Sequence, residues 1–134
     1  MLRVLGDAFD PDEFLATARL PVCSKFRKGE QASSRGRLYE TSGFNCVASR
    51  DTEELHEQVP DAIAFLTTHA DDLRTLADIN GIESKFLDFG YACRLGSNGV
   101  ALQGDYLPPE LLRLAGSLGI GIALSLYPAS SDDT

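Results

Sequence analysis

Leu2, Val4 and Gly6 alternate with Arg3, Leu5 and Asp7 at the start of the chain, the two-residue period of a short strand. Asp10, Pro11 and Glu13 then have the form of a helix start. An Asp can accept from free first-turn amides, Pro suits a position that needs no amide hydrogen, and Glu13 completes a capping box. Phe14, Leu15 and Ala18 line one face of that helix, and Pro21 ends it. Residues 22–36 lack periodicity and are expected to form a mobile loop. "RLYETS" and "FNCVAS" flank Gly43 and fit either two strands with a tight turn or one strand with a bulge. Asp51 and Glu54 suggest a second capping box, and Leu55, Val59, Ala62, Ile63 and Leu66 follow at helical spacing. Pro60 predicts a kink or break there, because an interior proline removes one bond and crowds the preceding turn.

Leu73, Leu76 and Ile79 predict another short helix, stopped by Asn80 and Gly81. Leu87, Phe89, Tyr91, Cys93 and Leu95 share one face of a long strand. "GSNG" then reads as a hairpin turn, with Val100 and Leu102 on the returning strand. Pro109 opens a last helix, Gly119 caps it, and Ile120, Ile122, Leu124 and Leu126 form a final strand. This order predicts an α+β fold with a mostly antiparallel or mixed sheet of five to six strands and helices on one face. Its elements read β-α-β-β-α-β, the ferredoxin-like pattern, followed by β-α-β. Residues 1–128 are expected to make a single domain and 129–134 a polar tail.

"GDAFDPDEFL" (6–15) and "GDYLPPELLR" (104–113) form a weak strand-turn-helix repeat. Capping chemistry explains most of what they share. Asp7 and Asp105 remain, either as a carboxylate pair for acid-base or metal chemistry or as turn-forming acceptors.

The 134 residues are ordinary in apolar content (43%) and charge (24%), and no stretch reaches the length of a membrane span. Together with an N-terminus lacking a cleavable apolar core, this predicts a cytoplasmic protein without a membrane partner. Cys23, Cys46 and Cys93 are odd in number and unpaired in spacing, which gives no disulfide framework or zinc signature and predicts core thiols. His56 and His69 fall about 220° apart on a helix and make no metal pair. No nucleophile elbow, phosphate loop or metalloprotease motif occurs, so neither a catalytic residue, a metal nor a cofactor is nominated.

A net charge of −8 argues against nucleic acid as a partner. The distribution adds more. Lys25, Arg27, Lys28, Arg35 and Arg37, interleaved with Phe26 and Tyr39, would suit an anionic or phosphate ligand or an acidic protein surface. Residues 51–83 carry nine acidic groups against Arg74 alone, and Glu53, Glu54, Glu57 and Asp61 are a candidate surface for a basic protein partner. The final strand is a candidate edge for homo-oligomer pairing.

"GDAFDPDEFLATARLP", "FRKGE", "DTEELHEQVPDAIAFL" and "LPPELLRLAGSLGIGIALSLY" occur in order along nearly the whole chain. On these segments it resembles the uncharacterised bacterial domain of unknown function family "four two seven nine". Many members carry a Trp in the strand after the basic loop, near where Tyr39 stands here. The resemblance implies no reaction and transfers no catalytic residue. Small acidic domains of this kind include immunity proteins, so a toxin-like protein partner is the first expectation, an anion at residues 25–37 the second, and carboxylate chemistry at Asp7 and Asp105 the third.

Overall fold

The structure, a computed structural model, describes residues 1–33 and 35–128; the expected polar tail, 129–134, lies outside them. Ten elements follow in order: β1 (Leu2–Gly6), α1 (Pro11–Leu15), β2 (Val22–Phe26), β3 (Ser42–Cys46), α2 (Leu55–Thr68), α3 (Ala70–Thr75), a 3-10 turn (Leu76–Asp78), β4 (Ser84–Cys93), α4 (Pro109–Ser117) and β5 (Gly121–Pro128). The sheet order is β2-β3-β1-β4-β5. β1 pairs antiparallel with both β3 and β4, β2 antiparallel with β3, and β5 parallel with β4. β1 and β2 are therefore parallel with β3 between them, and β3 and β4 are parallel with β1 between them. These are the two interlocked split βαβ units of a ferredoxin-like sheet, extended at one edge by β4-α4-β5.

The pleat decides which side chains the helices cover. Leu2 and Val4 of β1, Phe44 and Cys46 of β3, and Leu87, Phe89 and Tyr91 of β4 all lie on one face and are buried. On that face they meet Val59, Ala62 and Leu66 of α2 and Leu111 and Ala115 of α4 in one hydrophobic cluster. Phe14 of α1 stacks on Phe44 at 5.6 Å, which docks that short helix against β3. The other face carries an Arg3–Asp88 ion pair at 3.2 Å, with the Ser125 hydroxyl donating to the same carboxylate at 2.7 Å.

The local expectations fare unevenly. Asp10 does cap α1, but it accepts from the Asp12 amide at 3.0 Å rather than joining Glu13 in a reciprocal box. Residues 22–26, expected as loop, form β2, an edge strand in which Cys23, Ser24 and Lys25 are exposed and leave no two-residue pattern to read. "RLYETS" contributes only its last residue to a strand, β3. The second capping box is absent, since Glu54 caps α2 without a side-chain bond to it and Thr52 accepts from the Glu54 amide instead. α2 runs unbroken through Pro60, and the chain changes direction at His69. Of the three cysteines only Cys46 is buried; Cys23 is exposed and Cys93 half-buried.

The expected return strand at Val100 and Leu102 is not formed; the chain from Arg94 to Pro108 has no regular structure. A side chain replaces it. Gln103 accepts from the Arg94 amide at 2.6 Å and donates to the Ala92 carbonyl at 3.2 Å, the two bonds that a neighbouring strand would supply. β4 has ten residues and β1 only five, so the rest of this edge needs other partners. Gln58, buried on α2, donates to the Gly90 carbonyl at 2.7 Å, and the Ala92 amide donates to the Glu53 carbonyl at 3.1 Å.

The repeat is therefore not one device used twice. Gly6 ends β1 where a Cβ would fall inside the Gly81 carbonyl, whereas nothing lies near a Cβ on Gly104, and no strand directly precedes that glycine. α4 stops by other means. Gly119 takes φ of +68°, and the Ile120 and Gly119 amides donate to the Ala115 and Gly116 carbonyls, which is a Schellman motif. Gly6→Ala is expected to lower unfolding free energy by about 3 kcal/mol through backbone overpacking. Gly104→Ala should stay within about 0.5 kcal/mol of the parent in the same urea titration.

Candidate functional site

The candidate basic residues fall on an arm that leaves the sheet at β2 and returns at β3. Phe26 and Tyr39 stack at 4.8 Å across its base, and the Tyr39 amide donates to the Glu30 carbonyl at 2.9 Å. The predicted mobile loop is thus a closed arm, and its two aromatic rings serve each other. Three of its five cations are likewise engaged. Lys25 and Arg27 both bond Asp12, Arg27 also lies 3.0 Å from Asp10, and Lys28 lies 2.7 Å from Asp7. The Lys25 and Arg27 bonds hold the Asp12 carboxyl below the usual carboxylate range, and the bond to Asp7 raises the Lys28 ammonium. Arg35 and Arg37 stand exposed further out, with no ion pair among the described residues.

The acidic surface expected on α2 is also half neutralised from within. Arg50 makes a forked pair with Asp61 at 3.0 and 3.1 Å and approaches Glu57 at 3.8 Å, while Arg94 bonds Glu54. The bond from Arg50 holds the Asp61 carboxyl below its ordinary value. Of the four residues Glu53, Glu54, Glu57 and Asp61, only Glu53 lacks such a cation among the described residues.

The two carboxylates shared by the repeat do not meet. Leu5 pairs with Ser84, two residues before Asp7, whereas Tyr91 of the same strand donates its hydroxyl to Asp105 at 2.9 Å. Ser84 and Tyr91 are seven positions apart, about 23 Å along β4. Asp7 is thus a counter-ion of the basic arm, and Asp105 belongs to a separate cleft. That cleft has a volume of about 390 Å³ and lies between the start of α2 and the irregular chain after β4; Glu54, His56, Tyr91, Arg94, Gln103 and Asp105 line it. Burial, then the bond to Asp105, raises the Tyr91 phenol above its ordinary value. His69 packs on Phe65 at 5.0 Å and shares nothing with His56. Among the described residues no three His, Cys, Asp or Glu side chains converge as a metal site would require.

A further concentration of acidic groups lies outside the two candidate surfaces. A groove of about 540 Å³ between α1 and α3 is lined by Asp10, Glu13, Asp72 and Asp78 together with Phe14, Thr17 and Ile79, and no cationic side chain lines it. Glu13 and Asp78 are exposed and make no ion pair among the described residues; Asp72 accepts from the Arg19 amide at 3.1 Å. Sequence alone could not join these residues, because more than fifty positions separate the two helices. Their early signs were the acidic first turn of each helix and, for Asp72 and Asp78, the acidic stretch 51–83.

Two outcomes follow from these environments. Because Asp12 titrates low in the folded chain, its contribution is present above the unfolded carboxylate value near 3.9 and is lost as pH falls below it, so Asp12→Asn should lower stability at neutral pH, flatten the acid limb of the stability curve and converge with the parent in strong acid. Burial pushes the Cys46 thiol up to about 12, so a thiol reagent at mildly alkaline pH should modify Cys23 in the native protein and reach Cys46 only on unfolding.

No helix among the described residues is long and apolar enough to cross a membrane. Comparison with curated proteins returns no match, and neither does comparison with solved structures. A family match covers both split βαβ units and the β4-α4-β5 extension: over residues 1–129 the chain belongs to the family described as a domain of unknown function (DUF4279).

Proposed function

We propose that the protein is a non-enzymatic binding module whose partner is a basic protein, docked at the groove between α1 and α3. The observation that carries this reading is that Glu13, Asp72 and Asp78 of that groove have no cationic side-chain partner among the described residues, while the fourth carboxylate, Asp10, is paired with Arg27. Elsewhere the chain compensates its own charge: Lys25, Arg27, Lys28, Arg50 and Arg94 each hold a carboxylate within the fold. Only eight of the twenty acidic groups lack a counterpart in the total of twelve Lys and Arg, and this groove concentrates three acids without a cation partner among the described residues, Glu13, Asp72 and Asp78, in one concavity. A field of that kind steers an oppositely charged partner and sets its orientation. Capture of a toxin-like basic protein, as small acidic immunity proteins perform it, is the form of binding that suits it.

The rival readings find less support. Three of the five cations of the basic arm already have carboxylate partners, which lowers their pull on a phosphate. The two carboxylates of the repeat stand at opposite ends of β4, too far apart to share a proton or a metal.

The test is affinity capture with the parent chain and a Glu13→Lys/Asp78→Lys variant as parallel baits. Both positions are exposed, so the variant should fold normally. A partner retained by the parent, lost from the variant and released at about 1 M salt, where the screening length is about 3 Å, is the expected result. A partner held equally by both baits, or one indifferent to salt, would refute docking at this groove.

A further inference from the structure

α4 and β5 are mismatched in length. A nine-residue helix spans about 13 Å, whereas an eight-residue strand spans about 26 Å. The helix therefore covers the half of β5 near the Gly119 turn, and Leu124 and Leu126, on the same face as Ile122, are left 45% and 48% exposed. β5 is also the edge of the sheet, paired only with β4 among the described residues. Its outer backbone amides and carbonyls face outward over eight residues.

Natural edges of this length are ordinarily guarded by a charge, a bulge or a proline in the middle. β5 has only Pro128, at its last position, and its pairing with β4 runs without a bulge. No charged side chain occurs between Arg113 and Asp132, in a chain where about one residue in four is charged.

We propose that β5 pairs antiparallel with β5 of a second copy of this chain, joining the two sheets into one of ten strands. Charge selects this occupant. Two molecules with a net charge of −8 repel through most approaches, and the stretch around β5 is the one long segment that brings no like charge to the contact. The pleat then fixes the register. Residues directly opposite each other must point to the same face, so a two-fold axis has to pass through a residue pair; Leu124 and Ser125 give equal overlap, and centring on Leu124 leaves Pro128, which has no amide hydrogen to donate, outside the paired segment. Leu124 then faces its own copy, and Ile122 faces the partner's Leu126. The half-covered apolar row of each copy closes over the other, and both helical layers stay on one side. The contact is isologous, so it ends at two chains.

Sedimentation equilibrium of the intact chain over a wide concentration range tests the pairing. The expected species is a dimer. Leu124→Lys, which sets two ammonium groups opposite each other on the axis, should raise the dissociation constant at least about 100-fold while the circular dichroism spectrum is unchanged. Amide hydrogen exchange gives a measure that needs no variant: protection within 121–128 should increase with protein concentration and elsewhere stay constant. A monomer at about 0.1 mM, a dimer that survives Leu124→Lys, or exchange in 121–128 that ignores concentration would each overturn the proposal. None of these measurements involves the α1–α3 groove, so the two readings stand or fall separately.

Discussion

β4 is twice as long as the central strand that it pairs with, and much of the molecule is organised around that excess. Past Leu87, where β1 ends, every second residue of β4 presents backbone polar groups to an edge with no strand beside it. Left unpaired in a buried setting, each such group would cost about 1–3 kcal/mol. Met1, Gln58, Glu53 and Gln103 supply the bonds in turn, reaching Asp88, Gly90, Ala92 and Arg94. These contacts set the height of α2 against the sheet through Gln58. They also fold the chain after β4 back on itself through Gln103, which brings Asp105 beneath the Tyr91 hydroxyl. The cleft at that end of the sheet is a product of the same mismatch.

Charge shows a similar division between what the fold uses and what it leaves over. The basic arm is tied to the start of α1 by Asp7, Asp10 and Asp12, and Arg50 and Arg94 tie the segment before α2 and the segment after β4 to the acidic helix. Exposed pairs of this kind add little stability one by one, with a typical worth of about 0–1 kcal/mol, but they fix where loops lie. Fixing them removes most cations from availability to a ligand. Glu13, Asp72 and Asp78 are what remains, and they face a groove between α1 and α3 that no cationic side chain lines.

The fold was legible in outline because its core strands obey a simple rule. β1, β3 and β4 have one buried face, and Leu2/Val4, Phe44/Cys46 and Leu87/Phe89/Tyr91 write that face into the sequence as alternation. β2 has no buried row, so Val22–Phe26 carried no pattern and passed for loop. Val100 and Leu102 made the opposite error: alternation and a turn signal were present, but a glutamine side chain took the hydrogen bonds that a strand would have made. Strand order was also out of reach, since the split βαβ arrangement depends on which strand fills the centre and not on local propensity. The site suffered most from this. Clusters adjacent in sequence, such as 25–37 and 53–61, were visible but largely self-compensated, whereas the groove unites residues from helices that only tertiary packing brings together.

The central position of β1 also has a consequence in time. Its partners, β3 and β4, follow it in the chain, and the second is complete only at Cys93. At ribosomal rates of about 5–20 residues per second, roughly 4 to 17 seconds separate synthesis of Gly6 from synthesis of Cys93. For that interval Leu2 and Val4, fully enclosed in the finished molecule, have at most β3 to pair with and lack the β4 side of the sheet. A nascent chain of this topology carries its central strand only partly covered through most of its own translation, and its brevity, five residues with Arg3 between two buried ones, limits what that strand can stick to meanwhile.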